Sequence, residues 1–178
     1  MTTKQQDAIA LLKADHRKVE DLFEKFDKAK GPKKKALADE ICMELSIHAT
    51  IEEEIFYPAC KGKVEDDLLN ESYVEHDGAK VLIAELTATT PHDEFYDAKM
   101  AVLTEEIKHH VREEEKPGEG LMAQARKAGV DMDALGDKLL ARKEELMKKF
   151  KAEGLPPPIT RSFRGHKMQQ GRTMDARA

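Results

Sequence analysis

Three short interruptions, Gly31-Pro32, Gly62 and Thr90-Pro91-His92-Asp93, cut the first 117 residues into four runs of similar length. Proline lacks an amide donor and glycine weakens a helix, so each interruption ends one helix and permits the next. The runs between them are rich in Ala, Leu, Glu and Lys, aromatics make up only 5% of the chain, and Trp is absent. Such runs favour helix throughout. The spacing predicts helices over 4–29, 33–60, 65–88 and 91–115, with Thr90 as a cap and Pro91 at the first helical position. Four helices joined by short loops must alternate in direction, so the expected fold is all-α, an antiparallel up-down four-helix bundle over 1–117. A helical extension follows over 118–153, read as a short segment near 119–128 and a longer helix reaching about residue 152. The run Gly-Leu-Pro-Pro-Pro then opens a Pro-rich, basic tail over 154–178.

At 178 residues the chain has room for one domain with a real core. The net charge of −5 is spread over interspersed charges of both signs. It gives no argument for nucleic acid or membrane partners, and neither is expected. The start, Met1-Thr2-Thr3-Lys4-Gln5-Gln6-Asp7, lacks the apolar run of a secretory signal, and no stretch approaches the roughly 20 apolar residues of a membrane span. A cytoplasmic location is expected. Cys42 and Cys60 fall on one predicted helix, about 27 Å apart along its axis, so they are expected to be free, buried thiols.

Four of the seven histidines fall one to each predicted helix: His16, His48, His76 and His110. The sequence midpoints between successive members are Pro32, Gly62 and Asp93. Each midpoint lies in or beside a predicted turn, so in antiparallel helices of equal rise the four imidazoles share one height. They also face inward. Leu12, His16, Val19, Phe23 and Phe26 form one stripe at 3- and 4-residue spacing, and Leu45, His48, Glu52 and Ile55 continue another. Leu69, Tyr73, His76, Ile83 and Leu86 line the third helix; Met100, Leu103, Ile107, His110 and Glu114 line the fourth. Glu52 and Glu114 each follow a histidine by four residues and share its face. His92, His109 and His166 do not fit this pattern, and His109 is expected to point to solvent.

Burying two carboxylates with four imidazoles costs several kcal/mol for each unpaired charge. Lys80 is the one inward cation on those stripes. A pair of divalent or trivalent metal ions compensates best, because imidazole and carboxylate are favoured iron ligands and bundle cores are where di-metal sites form. Six ligands are too many for one tetrahedral zinc. Two bridging carboxylates and two imidazoles per ion leave positions for an oxo or hydroxo bridge and an outside ligand. Manganese and zinc also accept these ligand types.

The residues resemble the hemerythrin-like, or HHE cation-binding, family. The likeness lies in His16 within Ala-Asp-His-Arg, in His48 to Pro58, in His76 within Val-Glu-His-Asp, and in His110 to Glu115, and covers roughly 8–117. It implies a hemerythrin-like bundle in which His16 and His48 hold one iron, His76 and His110 the other, with Glu52 and Glu114 bridging. Oxygen-carrying members have a further histidine where this chain has Lys80, so a fifth imidazole is missing. The set of four His and two Glu is more similar to the di-iron proteins of iron–sulfur cluster repair and of nitric oxide and peroxide handling. Those repair proteins carry an N-terminal cysteine-bearing domain, absent from this sequence.

The resulting expectation is a non-haem di-iron protein that binds or reacts with dioxygen, peroxide or nitric oxide, as an enzyme or as a carrier. The alternatives are iron storage, sensing or delivery, including cluster repair, and a metal-free helical interaction module. Tyr73 is expected to pack in the core, where its hydroxyl can also serve a bound oxygen species. Lys80 is expected to pair with a bridging carboxylate or to reach the surface. Glu53, Glu54, Glu113 and Glu115 read as solvated faces beside the site. The tail carries Arg161, Arg164, Lys167, Arg172 and Arg177; it reads as a free, solubilising end, with docking on an acidic partner or self-association as the other possibility.

Overall fold

Asp7 opens the first helix, α1 (Ala8–Lys28), by accepting the Ala10 amide at 2.8 Å, which satisfies one of the donors that every helix start leaves free. The structure, a computed structural model, describes residues 7–171. Gly31, at φ 58, makes the turn that a side chain would strain, and Pro32 begins α2 (Pro32–Ile51). The helix does not run straight on to Cys60. A π-helical turn, Glu52–Phe56, intervenes before the single turn α3 (Tyr57–Cys60). Pro58 accounts for the defect: it offers no amide and crowds the carbonyl four residues earlier, so the turn widens and the Tyr57 amide bonds to the Glu52 carbonyl.

After Gly62, at φ 74, α4 runs over Asp66–Ala88 and α5 over Tyr96–Glu115. The sequence predicts that the fourth bundle helix starts at Pro91, whereas it starts at Tyr96. Asp93 accepts the Thr90 amide at 2.6 Å and the Thr90 hydroxyl at 3.1 Å. That closed turn occupies the groups that would otherwise have begun the helix. The helices α6 (Leu121–Lys127) and α7 (Met132–Glu153) complete the described elements.

Neighbour contacts form a closed ring: α1 packs on α2, α2 on α4, α4 on α5, and α5 on α1. The all-α, four-helix arrangement read from the sequence is therefore present. Helix α6 lies on α5, and α7 lies across α1, α2 and the π turn. Two apolar clusters make the core. One holds Leu11, Leu12, Ile51, Phe56 and Leu69 together with residues of α6 and α7; the other holds Val19, Phe23, Leu45, Ile83, Met100 and Leu103. On α1, α2 and α4 the histidine falls between a residue of one cluster and a residue of the other, and on α5 His110 follows Ile107 of the second cluster. The six candidate residues thus form a polar layer that divides the core. Cys42 and Cys60 are free and buried, as expected.

The start of the tail does not hang free. Leu155 touches both clusters, and Asp77, which is fully buried, accepts the Arg161 amide at 2.8 Å, the Ser162 amide at 2.6 Å and the Ser162 hydroxyl at 2.7 Å. Three successive prolines have no amides to satisfy, so this strand of chain can lie on apolar surface without leaving donors unpaired. Arg164 and Lys167 are exposed; Arg172 and Arg177 lie outside the described residues. Among the described residues no helix is long and apolar enough to cross a membrane.

Candidate metal centre

His16, His48, Glu52, His76, His110 and Glu114 meet in this layer, none more than 5% exposed. The Nε2 atoms of His16 and His48 are 3.0 Å apart, and those of His76 and His110 are 3.2 Å apart. Glu52 Oε2 lies 3.2 Å from His48 Nε2 and 3.3 Å from His76 Nε2, so this carboxylate spans both pairs. Glu114 spans them on the other side, with one oxygen 3.5 Å from His16 Nε2 and the other 3.5 Å from His110 Nε2. Two groups of atoms close enough to hold an ion result: His16, His48, Glu52 and Glu114, and Glu52, His76 and His110, each within 4.8 Å.

The far side of each ring faces another carboxylate. His16 Nδ1 is 2.7 Å from Glu115, His110 Nδ1 is 2.7 Å from Glu75, and His76 Nδ1 is 3.1 Å from Glu53. His48 Nδ1 is 3.6 Å from Asp15, which is itself paired with Lys143. These partners follow a cyclic rule. Asp15, Glu53, Glu75 and Glu115 each sit next in sequence to one of the six central residues, and each reaches round to the histidine of a neighbouring helix.

A ring nitrogen facing a carboxylate at 2.7 Å carries the proton, which leaves Nε2 as a lone pair. Across the His76 and His110 pair the two Nε2 atoms converge at 3.2 Å, where two neutral rings with their Nδ1 protonated would have no proton to share. Glu52 Oε1 and Glu114 Oε2 are buried without a hydrogen-bond partner, which is costly in a core unless a cation sits there. The donor set therefore fits metal ions. Burial holds His16 down to about 4. Burial and the neighbouring Glu52 push the Glu114 carboxyl up to about 7. Burial also opposes charge on His48, yet Glu52 and Asp15 outweigh it and raise the ring to about 10.

Tyr57, which the sequence reading passes over, enters the layer. Its hydroxyl donates to Glu114 Oε1 at 2.9 Å and lies 3.3 Å from Glu52 Oε2 and 3.2 Å from His76 Nε2. Glu52 and Tyr57 are five positions apart, a spacing that an α-helix places on different faces and the wider turn brings together. Pro58 is the signal that could have found it. Tyr73 stands outside the layer, edge-on to Tyr57 with ring centroids 5.1 Å apart. Glu53 and Glu115 are not the solvated groups expected of them, since both hold imidazoles. Glu54 is exposed and pairs with Arg142 at 2.7 Å. Lys80 bonds Glu53 at 2.7 Å and Asp77 at 3.2 Å rather than a central carboxylate. His109 is exposed, as expected, and joins Glu71 and Glu75 in a third, surface group of potential ligand atoms.

The family model described as the hemerythrin HHE cation binding domain matches residues 7–117, more than half of the chain and all of this layer. The chain belongs to the hemerythrin HHE cation-binding family. A crystal structure of a hemerythrin HHE cation-binding domain-containing protein from Mycobacterium kansasii shares the HHE fold at a TM-score of 0.68 and 23% identity, covering 84% of this chain and 94% of that one. A protein called DNA nickase from Nostoc sp. (strain PCC 7120 / SAG 25.82 / UTEX 2576) is 28% identical over 106 residues. That alignment takes in 59% of this HHE chain and 30% of the Nostoc protein's length.

Proposed function

We propose that this HHE domain is a non-haem di-iron protein that binds or reacts with dioxygen, peroxide or nitric oxide. His16 and His48 hold one ion, His76 and His110 the other, and Glu52 and Glu114 bridge them. The observation that carries this reading is the convergence of four imidazole Nε2 atoms, in pairs 3.0 and 3.2 Å apart, between two carboxylates that each approach both pairs. An iron pair so held supplies electrons and an open coordination position for a small ligand. The chain's own part is to fix the imidazoles through the carboxylates behind them and to flank them with the two apolar clusters. Tyr57 holds Glu114 in place and offers its hydroxyl proton to the layer.

Anaerobic purification followed by elemental analysis and optical spectroscopy, before and after air and peroxide, tests this directly. Two irons per chain and an absorption band that His110→Ala abolishes support the proposal. Far less than one iron per chain sinks it and favours the metal-free module. Catalytic loss of peroxide or nitric oxide, abolished in Glu52→Ala, identifies an enzyme. Iron transfer to an acceptor without such turnover identifies storage or delivery.

A further inference from the structure

A cavity of about 660 Å³ begins at the four imidazoles and runs out beneath α7 and the prolines of the tail. A water molecule occupies about 30 Å³ of liquid, so a diatomic gas would leave this space almost empty. Sites for small organic molecules span roughly 300–1,000 Å³. Its inner walls are hydrocarbon, from Val19, Leu45, Ile83, Ile107 and Val111. Between α2 and α4 the lining residues are small, Ala49, Ala79 and Ala84 among them, which leaves room for a slender molecule. Leu155 and Pro156 to Pro158 form the roof.

The charges around the cavity are matched except at its outer end. Asp15 is paired with Lys143, Glu53 with Lys80 and Arg161, and Glu54 with Arg142. Lys149, exposed and in the lining, has no carboxylate partner among the described residues. We infer that this cavity binds an elongated aliphatic carboxylate, its chain running toward the histidine layer between α2 and α4 and its head group on Lys149. An anion is favoured over a cation because the lining acids already have partners, while one ammonium does not.

Binding here requires no metal ion, so the test separates this site from the di-iron proposal. Dodecanoate is titrated calorimetrically into the full chain, both chelated and iron-loaded. One saturable site per chain is expected, weakened about tenfold by Lys149→Glu, a change of roughly 1.4 kcal/mol, and lost in Ala84→Phe, which fills the space between α2 and α4. Dodecyltrimethylammonium is expected to bind more weakly than dodecanoate. Absence of saturable binding in both preparations, tighter binding of the cationic amphiphile, or affinity unchanged by Lys149→Glu overturns the inference. Should circular dichroism show Ala84→Phe unfolded, the exposed Lys149→Glu alone decides. A chain that holds iron but takes up no dodecanoate refutes this site only, and one that binds dodecanoate but no iron refutes the di-iron proposal only.

Discussion

Glu53 shows how much a side chain one step removed from the centre can matter. It accepts from His76 Nδ1 at 3.1 Å, and Lys80 and Arg161 hold it from outside at 2.7 and 3.0 Å. Partners of this kind set the orientation and basicity of a ligating imidazole, and their loss typically costs about 10–100-fold in metal affinity. We expect Glu53→Ala to fall in that range and Arg161→Ala to weaken affinity less, as read by chelator competition; affinity at the wild-type level in Glu53→Ala would remove its orienting role. Tyr57→Phe is expected to lower the stability of the metal-free protein by about 1–2 kcal/mol, because the buried Glu114 loses its 2.9 Å donor. Urea denaturation with unchanged helical content in the native baseline measures it. The six central residues were legible because a period of 3.6 and three turn midpoints place them. Asp15, Glu53, Glu75 and Glu115 were not. A one-helix wheel sends neighbours of an inward residue outward, and only the packed ring of helices shows that outward from one helix is toward the histidine of the next.

At the level of elements, the second bundle helix carries the main departure from regularity. Its π turn puts Glu52, Glu53 and Tyr57 into one layer, which an unbroken helix over 33–60 would not do. Helix existence was readable from composition and breakers. The late start of α5 was not, because Thr90 and Asp93 satisfy each other in a turn that resembles a cap until the partners are known. The junction of α5 and α6 is equally demanding. A Cβ on Gly120 would stand 2.5 Å from the Glu114 carbonyl and 2.6 Å from that of Glu113, closer than backbone atoms tolerate. Gly120→Ala is therefore expected to cost about 1–3 kcal/mol, seen as a lowered melting temperature. A melting temperature equal to that of the parent would mean that α6 can shift freely.

Across the whole molecule, α7 covers α1, α2 and the π turn, and the start of the tail is fastened to Asp77 of α4. A chain ending at Gly154 would strip Asp77 of the amides of Arg161 and Ser162 and the Ser162 hydroxyl. A buried carboxylate that loses donors costs about 1–3 kcal/mol, so the shortened chain is expected to unfold at lower urea and to bind a hydrophobic dye where Leu155 and the prolines had lain. The polar layer has a larger consequence. Leu12 and Ile51 belong to one apolar body, Val19 and Leu45 to the other, and the histidines stand at the joint. Ions gripped there would act as the keystone of an arch, tying the two halves together across the layer. Ligand occupancy at 100 times its dissociation constant adds about 2.7 kcal/mol, and at a joint that increment is spent on cooperativity. Amide exchange on the chelated protein is accordingly expected to show two groups of protons opening independently, which loading with metal fuses into one.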